Sequence, residues 1–99
     1  LLTAEEFGAS EALRLGLVQE VVPAGRQKGR AMEIAGVIAE QAPLAVRASL
    51  ASSRTAIEHG PAAAFREFKT QQAQLMATAD AAEGIRSFIE RRRAQFTGR

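Results

Sequence analysis

A chain of 99 residues can fold as one small domain and no more. It can bury only about 60–65% of its unfolded surface, so little stability is spare. The composition, 46% hydrophobic and 24% charged, is that of a globular protein and excludes a disordered one. The absence of cysteine excludes a disulfide scaffold and a thiolate nucleophile, and with His59 as the single histidine no metal site is expected. No apolar run approaches the roughly 18–20 residues that span a bilayer, so no membrane partner is expected and the location is read as cytoplasmic. The chain opens Leu1-Leu2-Thr3, without Met or a signal-peptide pattern, and reads as a piece of a longer one. The net charge of +2 is uneven. Residues 86–99 carry Arg86, Arg91, Arg92, Arg93 and Arg99 against only Glu90, and the rest of the chain is slightly acidic. A basic tail on a near-neutral body points to a local anion site and not to a nucleic-acid-binding surface.

In chain order, Thr3-x-x-Glu6 has the spacing of a capping box and predicts a short first helix. Ser10 can cap a second, running to Leu15 and stopped by Gly16. Leu17–Val22 is short, apolar and partly β-branched, which predicts a strand closed by Pro23, Ala24 and Gly25. A single strand makes no sheet, so its partners must come from elsewhere. Four helices follow. Ala31, Ile34, Ala35, Ile38 and Ala42 share one arc of the first, with Glu33 and Glu40 opposite. Pro43 ends that helix and can start the second, which runs to His59-Gly60. The second has an apolar stripe (Val46, Leu50, Ser53, Ile57) and a separate face of small residues (Ala45, Ser49, Ser52, Ala56), so it can be packed on two sides. The third starts at Pro61 and puts Phe65, Phe68, Leu75 and Met76 on one side, with Gln72 in that stripe and in need of a buried partner. The fourth opens with the capping pattern Asp80-x-x-Glu83, and Ile85, Phe88, Ile89 and Phe96 form its apolar side.

Few residues suggest chemistry of their own. There is no glycine-rich phosphate loop, no Ser/His/Asp order and no carboxylate cluster with metal spacing. Glu5 and Glu6 read as a solvated pair in a first helical turn. His59 reads as a helix-end residue that suits the dipole; a general base is the alternative, with no nucleophile in sight for it. The run Glu90-Arg91-Arg92-Arg93 is more informative. It is either a solvated basic helix end or a ligand contact. On a continuing helix, Arg92 falls between Phe88 and Phe96, with its stem packed and its guanidinium paired. Arg91 falls at the edge of the stripe, beside Phe88. A bulky apolar residue next to a cation suits a ligand with an apolar and a phosphate part, and equally a helix covering a subunit interface.

Three blocks carry a resemblance. Leu2-Thr3-x-x-x-x-Phe7-x-Ala9-x-Glu11-Ala12-x-x-x-Gly16-Leu17-Val18-x-x-Val21-Val22-Pro23 resembles the close of the spiral core in the enoyl-CoA hydratase/isomerase (crotonase) family. Ala42-Pro43-Leu44-Ala45-Val46 is similar to a later helix start, and Thr78-x-Asp80-x-x-Glu83-Gly84-Ile85-x-x-Phe88-x-Glu90-x-Arg92-x-x-x-Phe96-x-Gly98 to the C-terminal helix. The resemblance covers essentially the whole chain but only the last third or so of a family member. It implies a mainly α segment: residues 1–22 as the end of the spiral core, with short helices and the last strand of the α/β spiral fold, and residues 23–99 as a C-terminal helical oligomerisation segment. It implies an acyl-CoA substrate, no cofactor beyond that coenzyme A thioester, and self-association into trimers or hexamers. The backbone amides and carboxylates that family hydratases use lie upstream of the part resembled, so no catalytic residue is assigned here. Phe88 matches a position that helps wall the acyl pocket. Arg91 matches a usually lysine position that approaches the coenzyme A phosphates, with a planar fork in place of a point charge. Ala94 stands where many members have proline. The activity implied is hydration of a 2-enoyl-CoA in fatty acid metabolism, with the chain alone inactive; a non-catalytic helical interaction module is the alternative.

Overall fold

A computed structural model describes residues 4–99. Five helices are present among them, α1 (Ala9–Arg14), α2 (Gln27–Ala39), α3 (Pro43–His59), α4 (Pro61–Met76) and α5 (Ala79–Ile89). The chain divides into two compact units, Leu1–Ile34 and Ala35–Arg99.

The first unit is sparse. The capping box at Thr3 begins outside the described residues, and from Ala4 to Gly8 the backbone is not helical, so Glu5 and Glu6 do not sit in a first turn. α1 starts two residues earlier than expected. Gly8 takes the N-cap position in an extended conformation, and Ser10 lies inside the helix without capping it. Gly16 stops it in the left-handed region, φ +73°, which glycine reaches without the clash a Cβ brings. The strand expected over Leu17–Val22 does not form among the described residues. An isolated strand has no ladder partner for its N–H and C=O groups, and β-propensity alone cannot replace one. Arg30 holds this stretch to the start of α2 by accepting no one and donating to two carboxylates, Glu20 at 2.8 Å and Glu33 at 3.0 Å.

The second unit contains the helical hairpin α3–α4. Pro43 and Pro61 each sit in the first turn of their helix, where a missing N–H costs nothing. Gly60, at φ +85°, makes the reversal between them. The two-faced reading of α3 resolves in an unexpected way. Its small residues Ala45, Ala48, Ser52 and Ala56 are the half-buried ones, as are Ala63, Ala64 and Leu75 of α4. Of the expected apolar stripe, Val46 is half-buried near the start of the helix, as is Leu44 beside it, while Leu50 and Ile57 stay open at 55% and 84% exposed. Small side chains let two backbones approach closely, and the bulky ones are left outside that seam. On α4, Phe65 and Phe68 stack with ring centroids 6.4 Å apart and are both exposed. Gln72 is exposed and needs no buried partner, contrary to the stripe reading. Every residue of α2 is likewise exposed. No apolar side chain among the described residues is buried, and the two buried residues, Asp80 and Ser87, are polar.

Candidate functional site

The site is built at the two ends of α5. At the start, Thr78 is the N-cap: its hydroxyl accepts from Ala81 N at 3.1 Å and donates to Leu75 O at 2.7 Å. One side chain thus joins the end of α4 to the start of α5. The Asp80–Glu83 capping box expected from the sequence is not made. Asp80 lies two residues past the N-cap, and its carboxylate accepts instead from Thr97 N at 2.7 Å and Gly98 N at 2.8 Å. Asp80 N in turn donates to Arg99 O at 3.1 Å. This buried charge is therefore satisfied by the returning C-terminal segment, as a buried carboxylate must be.

At the other end the helix stops at Ile89, seven residues before the expected stripe would close at Phe96. Glu90 is the C-cap and Arg91 follows at φ +53°. Arg91 N donates to Phe88 O at 3.3 Å and Arg92 N to Ser87 O at 3.1 Å. This pair of bonds is the Schellman motif, with Arg91 in the left-handed position just past the cap. The chain then runs back along α5, and Phe96 returns to lie 3.7 Å from where a Cβ on Gly84 would stand.

The three arginines fall into different roles because of this turn. The Arg92 guanidinium donates to both oxygens of Glu83, Nη1 to Oε1 at 2.5 Å and Nη2 to Oε2 at 2.9 Å. Its Nε donates to Glu90 Oε2 at 2.5 Å, and Gln95 N donates to Glu83 Oε1 at 2.9 Å. The Arg92 fork and the Gln95 amide hold the Glu83 carboxyl down at about 2, and the same carboxylates hold the Arg92 guanidinium above its ordinary value. The expected pairing of Arg92 is thus present, while the expected packing of its stem within a helical stripe is not, since the helix has ended. Arg93 is 3.6 Å from Glu40 and almost fully exposed. Arg91 is exposed, and its guanidinium makes no hydrogen bond or ion pair among the described residues. Phe88, one turn before it, is 86% exposed, and Ile85 and Ile89 beside it are 54% and 74% exposed. The structure therefore brings an open apolar ridge and an uncommitted cation to one helix end.

The other sequence candidates are not brought into it. His59 ends α3, two-thirds exposed, with Nδ1 3.9 Å from Glu58. Among the described residues no group of three His, Cys, Asp or Glu side chains could hold a metal ion, and no helix is long and apolar enough to cross a membrane.

The family model for enoyl-CoA hydratase/isomerase matches residues 1–99. The chain belongs to that family. It is similar to the enoyl-CoA hydratase EchA19 of Mycobacterium tuberculosis, at 36% identity over 99 residues, covering 100% of this chain and 37% of the relative. It is similar to a 2,3-dehydroadipyl-CoA hydratase of Escherichia coli, at 31% identity, covering 100% of this chain and 39% of the relative. Among solved structures it superposes with TM-score 0.95 on a probable enoyl-CoA hydratase/isomerase of Mycobacterium abscessus, at 44% identity, covering 99% of this chain and 38% of that one. The chain thus spans less than half the length of these crotonase-fold relatives, and corresponds to a helical C-terminal segment of them.

Proposed function

We propose that this chain is the C-terminal, ligand-contacting and assembling part of an acyl-CoA-processing enzyme, an enoyl-CoA hydratase that adds water to a 2-enoyl-CoA. The observation that carries the reading is the end of α5, where exposed Phe88 stands one turn from Arg91, whose side chain has no partner among the described residues. An apolar wall beside a cation suits an acyl thioester on one side and the coenzyme A phosphates on the other. Addition of water to an enoyl thioester needs donors that hold the thioester oxygen as negative charge develops on it, and carboxylates that move the protons. No residue of this chain is assigned to either task. No cofactor other than the coenzyme A ester itself enters the reading.

The test is the loss of crotonyl-CoA absorbance. Hydration by the intact protein that carries this segment is expected, and none above the uncatalysed rate by the 99 residues alone. Arg91→Ala should weaken acyl-CoA binding in the intact protein by about 1–2 kcal/mol, the scale of one charge-assisted contact at a partly open site. Phe88→Ala should shift preference among acyl lengths more than affinity for coenzyme A. If neither substitution alters substrate kinetics, the ligand reading of this helix end falls. The alternative, a non-catalytic helical interaction module, then gains, and the uncovered apolar faces of α2, α3 and α4 already suit it.

A further inference from the structure

Arg91 occupies a position that glycine fills at lower cost. A Cβ in the left-handed region crowds the following carbonyl; Gly16, Gly25, Gly60 and Gly98 take such positions among the described residues, and Ala4 is the one other non-glycine there. Arg91 holds this costly conformation with no partner for its guanidinium among the described residues, which leaves the side chain available to a group outside the fold. The residues on either side of it close the turn. Glu90 precedes it and Arg92 follows it, and the Arg92 Nε–Glu90 Oε2 bond bridges the two across Arg91. Glu83, more than a turn back along α5, grips the other edge of the Arg92 fork with both oxygens and takes the Gln95 amide as well. Two carboxylates therefore consume the charge of Arg92. Only Arg91 in that run keeps a guanidinium with no carboxylate beside it, since Arg93 reaches Glu40.

We infer that Glu83, acting through Arg92, is a positioning residue: their ion pair locks the turn after α5 so that Arg91, in its left-handed conformation, is held out to the phosphate groups of a coenzyme A ester. This rests on the acyl-CoA reading of the helix end. Neither Glu83 nor Arg92 touches the ligand in this arrangement. Their effect is on the geometry of Arg91 alone, so it is specific to substrates that carry the phosphates.

The experiment compares, in the intact protein, the dissociation constants of butyryl-CoA and of butyryl pantetheine, which lacks the nucleotide and its phosphates. Arg91→Ala is expected to reduce the preference for the coenzyme A ester by about tenfold, the factor equivalent to 1.4 kcal/mol. Glu83→Gln and Arg92→Lys leave Arg91 in place but break the bidentate clip, and should each remove part of that preference while leaving butyryl pantetheine bound as before. If Arg91→Ala lowers the preference and both clip variants retain it in full, the positioning role is overturned and the phosphate contact stands. If Arg91→Ala leaves the preference unchanged, the acyl-CoA reading of this helix end is itself overturned. Equal losses for both ligands in Glu83→Gln would make the clip structural only. Should the clip variants fail to fold, Arg91→Gly decides: it should lose the preference as Arg91→Ala does, yet melt about 2–4 °C higher, as relief of the strained backbone predicts for a protein of this class. A melting temperature unchanged or lowered would show that no strain is held at Arg91 and would overturn the inference.

Discussion

The α3–α4 hairpin and the α5–tail region lie in the same compact unit and are held by opposite means. The hairpin meets largely along small side chains and leaves much of its bulky apolar surface outward, with Ile57 84% and Phe65 73% exposed. The α5 region buries almost nothing apolar, and is closed instead by the hydrogen bonds of Thr78, Asp80, Glu83 and Arg92. The hairpin leaves much of its apolar surface exposed, so the hydrophobic effect contributes little to it within these residues. The polar clamps of α5 are complete within these residues. The folded geometry of α5 is thus set by polar contacts within these residues, whereas the hairpin would gain most from a cover over its open apolar face, which we propose the rest of the enzyme or a second copy supplies.

The largest expected effect lies in the self-contained region. Asp80→Ala strips two backbone amides, Thr97 N and Gly98 N, of their acceptor at a buried position. The cost should be about 2–3 kcal/mol, the scale of leaving buried donors unpaired. Chemical denaturation of the intact protein measures it, and a loss under about 0.5 kcal/mol, the range of a neutral surface change, would show that the tail is not held by this carboxylate. Thr78→Ala comes next, at about 1 kcal/mol, because it removes one helix cap and frays α5 from its first turn. The same denaturation series should rank the two.

The Glu83 clip gives an expected pH dependence of known sign. Its carboxyl is held at about 2 in the folded state against an ordinary value of 4.5. A depressed carboxyl contributes stability that is fully present above the ordinary value and is lost as pH falls through the folded one. The turn around Arg91 should therefore hold at neutral pH and open progressively between about pH 4.5 and 2, within which Glu83→Gln should show a flatter stability profile than the parent. Melting curves across that window check it; identical slopes would mean that Glu83 is not paired in solution.

Much of this was legible in the sequence, for reasons that separate the two regions. Proline at a first turn and glycine past a last one bound α3 and α4 at Pro43, His59 and Pro61, because both residues act through their own backbone. The small face of α3 was legible as a packing face, but not that it would be chosen over the Leu50–Ile57 stripe. Periodicity shows which residues share a face, and only the partner decides which face is covered. The strand expected at Leu17–Val22 fails for the same reason, since pairing is a property of two segments. At the site, the resembled motif points to Phe88 and Arg91, yet periodicity carries the helix on to Phe96. No glycine or proline marks its end, and the Schellman turn is made by an arginine, which propensity gives no reason to expect there. Asp80 reads as a capping residue because spacing alone cannot tell an N-cap from the first turn. Its three-residue distance to Glu83 mimics the box, while its real partners lie at Thr97 and Gly98, beyond the reach of any local pattern.

The smallest expected effect is the one that separates the regions most cleanly. Ile57→Ser removes an apolar side chain that is 84% exposed within these residues, so there is almost no burial to lose. In the isolated 99-residue chain it should leave helical content unchanged within error, and stability within about 0.5 kcal/mol. It should also weaken self-association, which the open hairpin face predicts for the parent chain at micromolar and higher concentration. Sedimentation and circular dichroism of the parent and variant supply both readings. In the intact protein the same substitution should cost about 2–3 kcal/mol if the face is covered, since a branched aliphatic side chain then exchanges a packed site for a polar one. A loss of stability in the isolated chain as large as in the intact protein would mean that Ile57 is already covered by its own hairpin. An indifferent result in both, with a monomeric parent chain, would mean that this face is never covered at all, and the contrast between a locally closed α5 and an externally completed hairpin would fail.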